Sequence, residues 1–118
     1  MCSSDLGLFF DPNTITAFPV ANTAEKWSLT SGGGWGHPVH VHFEEFQVLS
    51  RNGSASLIAD DIGRKYVVRI GQASQGTAGT SSLDWYMQFR DWSGDYPIHC
   101  HNVVHEDHAM MTRFMIMP

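Results

Sequence analysis

Apolar and polar residues alternate with a period of two along much of this chain. Leu83, Trp85, Met87 and Phe89 interleave with Asp84, Tyr86, Gln88 and Arg90, the pattern of a strand with one buried face. Trp27 and Leu29 share a face within residues 25–30, and Phe46 and Val48 do so within 39–50, which reads as one strand-like run. Residues 14–20, 66–70, 96–101 and 114–117 are further strand candidates. Turn signals separate them: Asp11-Pro12-Asn13, residues 31–34, Asn52-Gly53, the Gly/Ser/Thr-rich stretch 71–82, and residues 91–95. Asn52-Gly53 is the strongest hairpin signal. With Ser54 it also forms a glycosylation sequon, but the turn reading is preferred. No amphipathic helix of useful length is expected. Many short strands with Gly-rich turns predict an all-β chain, a β-sandwich with Greek-key connections.

Composition narrows the possibilities. The chain has 118 residues, of which 42% are hydrophobic, enough for one folded domain with a sizeable core. Its seven Lys and Arg are scattered and its net charge is −5, which argues against nucleic acid as a partner. No apolar run is long enough to span a membrane. Met1 to Leu6 carries no fold signal and resembles a translated sequencing adapter. Residues 1–6 are therefore expected to be a non-native start, with the domain at 7–118 and the native N-terminus missing. Of the two cysteines, Cys2 lies in that opening and Cys100 between two histidines, so a disulfide is not expected.

Histidine is the anomaly. All seven fall in two clusters, His37, His40 and His42, then His99, His101, His105 and His108. Alternation along a strand turns Cys100 to one face and both His99 and His101 to the other. His40 and His42 likewise share a face. Two strands can therefore present histidine pairs on one surface while Cys100 enters a separate pocket. His105 and Met110 follow Cys100, and His37 precedes the other histidine strand. Two imidazoles, one thiolate and a weak thioether are the ligand set of a blue-copper site. Zinc is the rival for Cys and His, but structural zinc sites usually offer paired cysteines. A lone histidine would be read as an ordinary surface or core residue; here six of the seven fit one spacing template. His108, the one left over, is expected to be a supporting or surface residue.

The segments His37-Pro38-Val39-His40-Val41-His42 and His99-Cys100-His101-Asn102-Val103-Val104-His105 resemble the paired signatures of multicopper oxidases. That family includes laccases, bilirubin oxidases, and bacterial spore-coat and cuprous oxidases. The resemblance runs from about Phe10 to Met117 and implies a cupredoxin-like fold, here a C-terminal domain. It implies that His37, Cys100, His105 and Met110 hold a type 1 copper. His40 would go to a type 2 copper, and His42, His99 and His101 to type 3 coppers. It further implies an oxidase that takes single electrons at the type 1 copper from a small reducing substrate (a phenol, a pigment or a metal ion). The electrons pass through Cys100 and its flanking histidines to a trinuclear cluster that reduces O2 to water. Glu106 matches the acidic residue that relays protons in some members; Asp107 is left open.

The resemblance has limits. The family's cluster takes eight histidines, four from two His-x-His motifs in an N-terminal cupredoxin domain, and this chain has no further His-x-His. That domain, on the same or another chain, is thus an expected partner, and the chain alone is expected to be inactive towards O2. Relatives often carry Asp where Tyr66 stands. A periplasmic or extracellular location is implied by the family alone. The alternative function is a non-enzymatic blue-copper electron carrier, which needs neither His40/His42 nor the histidines flanking Cys100. Trp35, two residues before His37, has packing and substrate contact as equal readings.

Overall fold

A computed structural model describes residues 10–31, 35–71, 79, 82–107 and 110–118. The Cys2 segment, most of the 71–82 stretch and His108 lie outside the described residues. The strands are β1 (Ala24–Thr30), β2 (Gly36–Val41), β3 (Phe46–Arg51), β4 (Arg64–Lys65), β5 (Val67–Gly71), β6 (Ser82–Gln88), β7 (Gly94–Cys100) and β8 (Met111–Ile116). A short helix α1 (Val103–Asp107) links β7 to β8, and a single 3-10 turn lies at Ala59–Asp61.

These strands form two four-stranded sheets, ordered β1-β6-β3-β4 and β5-β2-β7-β8. Neighbouring strands in both sheets run antiparallel. The chain changes sheet between β1 and β2, β2 and β3, β4 and β5, β5 and β6, and β6 and β7, which is the Greek-key sandwich expected from the strand pattern. The inner faces meet in one core. β6 alternates as expected, with Leu83, Trp85 and Met87 buried. Trp85 packs on Phe46 with ring centroids 4.9 Å apart, and Trp27 meets Phe114 edge-on at 5.3 Å. Apolar burial of this kind is the main favourable term holding two sheets face to face.

The β-branched and aromatic run 14–20 forms no strand of either sheet. It runs instead as an extended segment beside β8, with isolated parallel bridges from Ala17 to Phe114 and Val20 to Met117. The Met115 amide donates to the Ala17 carbonyl and that of Met117 to the Pro19 carbonyl. Pro19 has no amide hydrogen to give, which limits a regular ladder there.

Two expectations need correction. The run 39–50 is not one strand. It breaks at residues 42–45, where the chain leaves the β2 sheet for the β3 sheet, and Phe43 adopts a positive φ of 84°. Asn52-Gly53 does make the tight turn, with φ of 51° and 76° and reciprocal amide bonds between Arg51 and Ser54 at 2.8 and 3.0 Å. The hairpin it closes is only that one rung, because β3 takes its ladder partners from β4 and β6.

Candidate metal centre

The β2–β7 register places the candidate ligands. Val39 stands opposite Cys100, His40 opposite His99, and Val41 opposite Ile98. Opposed residues share a face, so Cys100 lies on the core face with Val39 and Ile98, while His40 and His99 lie on the outer face. The alternating burial of β2 agrees: His37, Val39 and Val41 are buried, and His40 is partly exposed.

On the core face, His37, Cys100 and His105 form one group. The Nδ1 atoms of His37 and His105 are 3.2 Å apart, and each is 3.6 Å from Cys100 Sγ. The centre of that triangle is about 2 Å from every corner, the bond length a small divalent ion takes to His nitrogen. Trigonal His2Cys donor sets suit copper in electron-transfer sites. The three residues therefore fit a single copper ion. Met110 is tied to both ends of the connection, its amide donating to His105 O and its carbonyl accepting from the Cys100 amide, each at 3.0 Å.

Cys100 is a free, buried cysteine. Burial pushes its thiol up, partly opposed by the backbone N–H of Asn102. Without a metal it is a protonated thiol, and the thiolate needs a cation to stabilise it. His105 is only partly buried, and its ring meets exposed Trp35 edge-on at 5.6 Å. Gly71 shapes this rim. It has φ of 101°, and a Cβ there would lie 2.1 Å from the Trp35 carbonyl oxygen, so only glycine allows β5 this close to the chain leading into β2.

On the outer face, His40, His42 and His99 form a second group. His42 Nε2 is 3.0 Å from His99 Nε2, which leaves room for an ion about 2 Å from each. His40 Nδ1 donates to the Tyr66 carbonyl at 2.7 Å, which leaves Nε2 as the free lone pair. His101, exposed, completes the patch, its ring 5.6 Å from that of His40 and 5.5 Å from that of His99. Burial, then the nearby His40 and His99, hold His42 below the usual imidazole range, so it is neutral and able to bind a metal at pH 7. Glu106, on α1, brings Oε2 to 3.5 Å from His99 Nδ1, which also lies 3.2 Å from the Cys100 carbonyl. Asp107 is exposed at the end of α1.

Two contributors to the site carry no sequence signal, because both act through the main chain: the Tyr66 carbonyl and the Asn102 amide.

Comparisons with known proteins agree with this geometry. The sequence matches the Multicopper oxidase family over residues 4–118. It is 34% identical to a bilirubin oxidase of Albifimbria verrucaria over 106 residues, covering 86% of this chain and 17% of that protein. It is 28% identical to a laccase of Haloferax volcanii over 112 residues, covering 93% and 18%. The chain thus spans about a fifth of the length of these relatives. Among solved structures, a laccase from Pediococcus acidilactici superposes with a TM-score of 0.80 at 24% identity, covering 95% of this chain and 23% of that one, and shows the shared cupredoxin-like fold. A laccase-like multicopper oxidase from Ochrobactrum sp. superposes with a TM-score of 0.72 at 29% identity, covering 94% and 23%. With the family match over residues 4–118, and with a His37, Cys100 and His105 group that fits one copper ion on one face and a histidine group on the other, the chain belongs to the multicopper oxidase family.

Proposed function

We propose that residues 7–118 are the C-terminal domain of an oxidase that takes single electrons from a small reducing substrate and passes them to O2. The observation that carries this reading is the back-to-back placement of the two groups. Cys100 belongs to one, its neighbour His99 to the other, and His99 stands opposite His40. Copper supplies the one-electron chemistry at the core-face group and, in a completed cluster, the reduction of O2 to water.

The residues divide the work. His37, Cys100 and His105 would hold the first ion in a largely buried set of two imidazoles and a thiolate, and Met110 would add a weak thioether donor. His105 and exposed Trp35 form the rim a reducing substrate can touch. Cys100 provides a thiolate whose main chain continues directly into His99 and His101, so covalent bonds alone join the two groups. His40 is assigned to a type 2 copper, and His42, His99 and His101 to type 3 coppers. Glu106 can hold and release a proton beside His99 Nδ1, within reach of the cluster's edge. A simple electron carrier has no use for the outer histidines, so that reading is not favoured.

Four histidines on this face, His40, His42, His99 and His101, need counterparts from an N-terminal cupredoxin domain on the same or another chain. The test is to read the coding sequence around this segment and express the assembled protein. Two His-x-His motifs in a neighbouring cupredoxin domain are expected, with oxygen uptake when a phenol is supplied. The chain by itself should take up none. Uptake by the isolated chain, or an assembled protein without such motifs, contradicts the proposal.

A further inference from the structure

We propose that Glu44, which is outside both metal groups, is a positioning residue that holds His42 on the histidine face; the proposal rests on the reading of that face as half of a metal site. His42 lies where the chain crosses between sheets, after β2 ends at Val41 and before β3 begins at Phe46. The next residue, Phe43, has φ of 84°, a conformation a bulky residue keeps only when its surroundings fix it.

Those surroundings are specific. Before Phe43, the His42 amide donates to the Pro97 carbonyl at 3.1 Å. After it, the carboxylate of Glu44 is buried and fully engaged by one residue. Its Oε1 accepts from the Arg90 backbone N–H at 2.8 Å, and its Oε2 accepts from Arg90 Nη2 at 3.0 Å and Nε at 3.3 Å. A carboxylate can stay this buried because donors meet both oxygens. The Arg90 side chain is partly exposed, but its backbone follows Phe89, one of the largest fully buried side chains, so the amide that Glu44 binds adjoins the core. The Phe43 ring stacks on Tyr96 of β7 at 5.1 Å. The crossing is thereby fastened both to the core and to the strand that carries His99.

The consequence is selective. The 3.0 Å approach of His42 Nε2 to His99 Nε2 depends on this crossing. His37, near the start of β2, does not; it is placed by the pairing of Gly36 with Gly71 and its own with Ile70. Loss of the Glu44–Arg90 pair should therefore loosen the histidine face and spare the Cys100 site. A residue that only stabilised the fold would weaken both together.

The test uses the 118-residue chain and copper(II) as probe. In a Cys100→Ser/His105→Ala background, which dismantles the core-face group, calorimetry reads copper(II) binding at the histidine face. Adding Glu44→Gln is expected to lower that affinity by at least about tenfold, the range found for residues that orient metal ligands. Arg90→Lys, which keeps the backbone donor and the charge, should lose less. In the otherwise native chain, Glu44→Gln should keep the blue absorption of the Cys100 site at full intensity. Unchanged affinity at the histidine face overturns the positioning role alone. Parallel loss at both sites also overturns it, leaving a purely structural pair. No copper(II) binding by the background variant overturns the histidine-face reading, and this proposal with it.

Discussion

His40 stands directly opposite His99 across the β2–β7 ladder, and the adjacent rung, Val39 with Cys100, faces the other side of the sheet. One register therefore builds both metal groups. A slip of one residue in this pairing would exchange the faces and lose both at once. This explains how two groups of different chemistry sit on neighbouring residues of one strand.

The first prediction concerns pH. Burial raises the Cys100 thiol, so the metal-free folded chain holds this proton to higher pH than the unfolded chain does. The associated stability is full below the unfolded thiol's titration and is lost as pH rises towards the folded value. Copper takes the thiolate, so binding releases that proton. Affinity at the Cys100 site should rise by about tenfold per pH unit around neutrality, as one-proton release requires. Copper titrations between pH 6 and 8, buffered with a competing chelator, check this. A flat profile contradicts a protonated resting thiol.

The second concerns Gly71. Alanine there meets both the positive φ and the Trp35 carbonyl. Gly71→Ala should destabilise the fold by about 2 kcal/mol and weaken copper binding at the Cys100 site, since Gly71 pairs with Gly36, next to His37. Urea unfolding and copper titration read the two effects.

The third concerns Asp61, buried at the 3-10 turn. It accepts from Arg51 Nε at 2.6 Å and Nη2 at 2.7 Å, while Arg51 Nη1 donates to the Arg69 carbonyl at 2.8 Å. The pair ties the end of β3 to the turn and to β5. Asp61→Ala leaves a largely buried guanidinium without its carboxylate and should cost about 3 kcal/mol. A loss no larger than that of an exposed ion pair, below about 1 kcal/mol, contradicts it.

The fourth concerns Glu106. In an assembled oxidase, Glu106→Gln should slow O2 turnover by about 100-fold, as loss of a proton donor does, while the blue absorption is kept. Unchanged turnover removes Glu106 from the proton path.

Much of this was legible in the sequence, for a physical reason. A period of two reports which face a side chain takes, so the burial of Leu83, Trp85 and Met87 and the opposed directions of His99 and Cys100 follow from spacing alone. The break at residues 42–45 leaves only a change of phase in the sequence, since Val41 and Phe43 fall on odd positions and Phe46 and Val48 on even ones, and the strand-like composition of the whole run masks it. Only the pairing of strands shows that the run changes sheet. Glu44 was missed because its partner, Arg90, is 46 residues away, and local pattern says nothing of such contacts. The parallel edge along β8 was missed for the same reason.

The central claim is that Cys100 belongs to one copper site and its flanking histidines to another. Copper(II) titration of the metal-free chain, followed by visible absorption, tests it most directly. One equivalent should produce an intense blue thiolate absorption, as such trigonal copper sites do. Cys100→Ser should abolish it, and His40→Ala/His42→Ala should leave it intact. A colourless copper complex of the native chain, or a band lost with His40 and His42, would contradict the account.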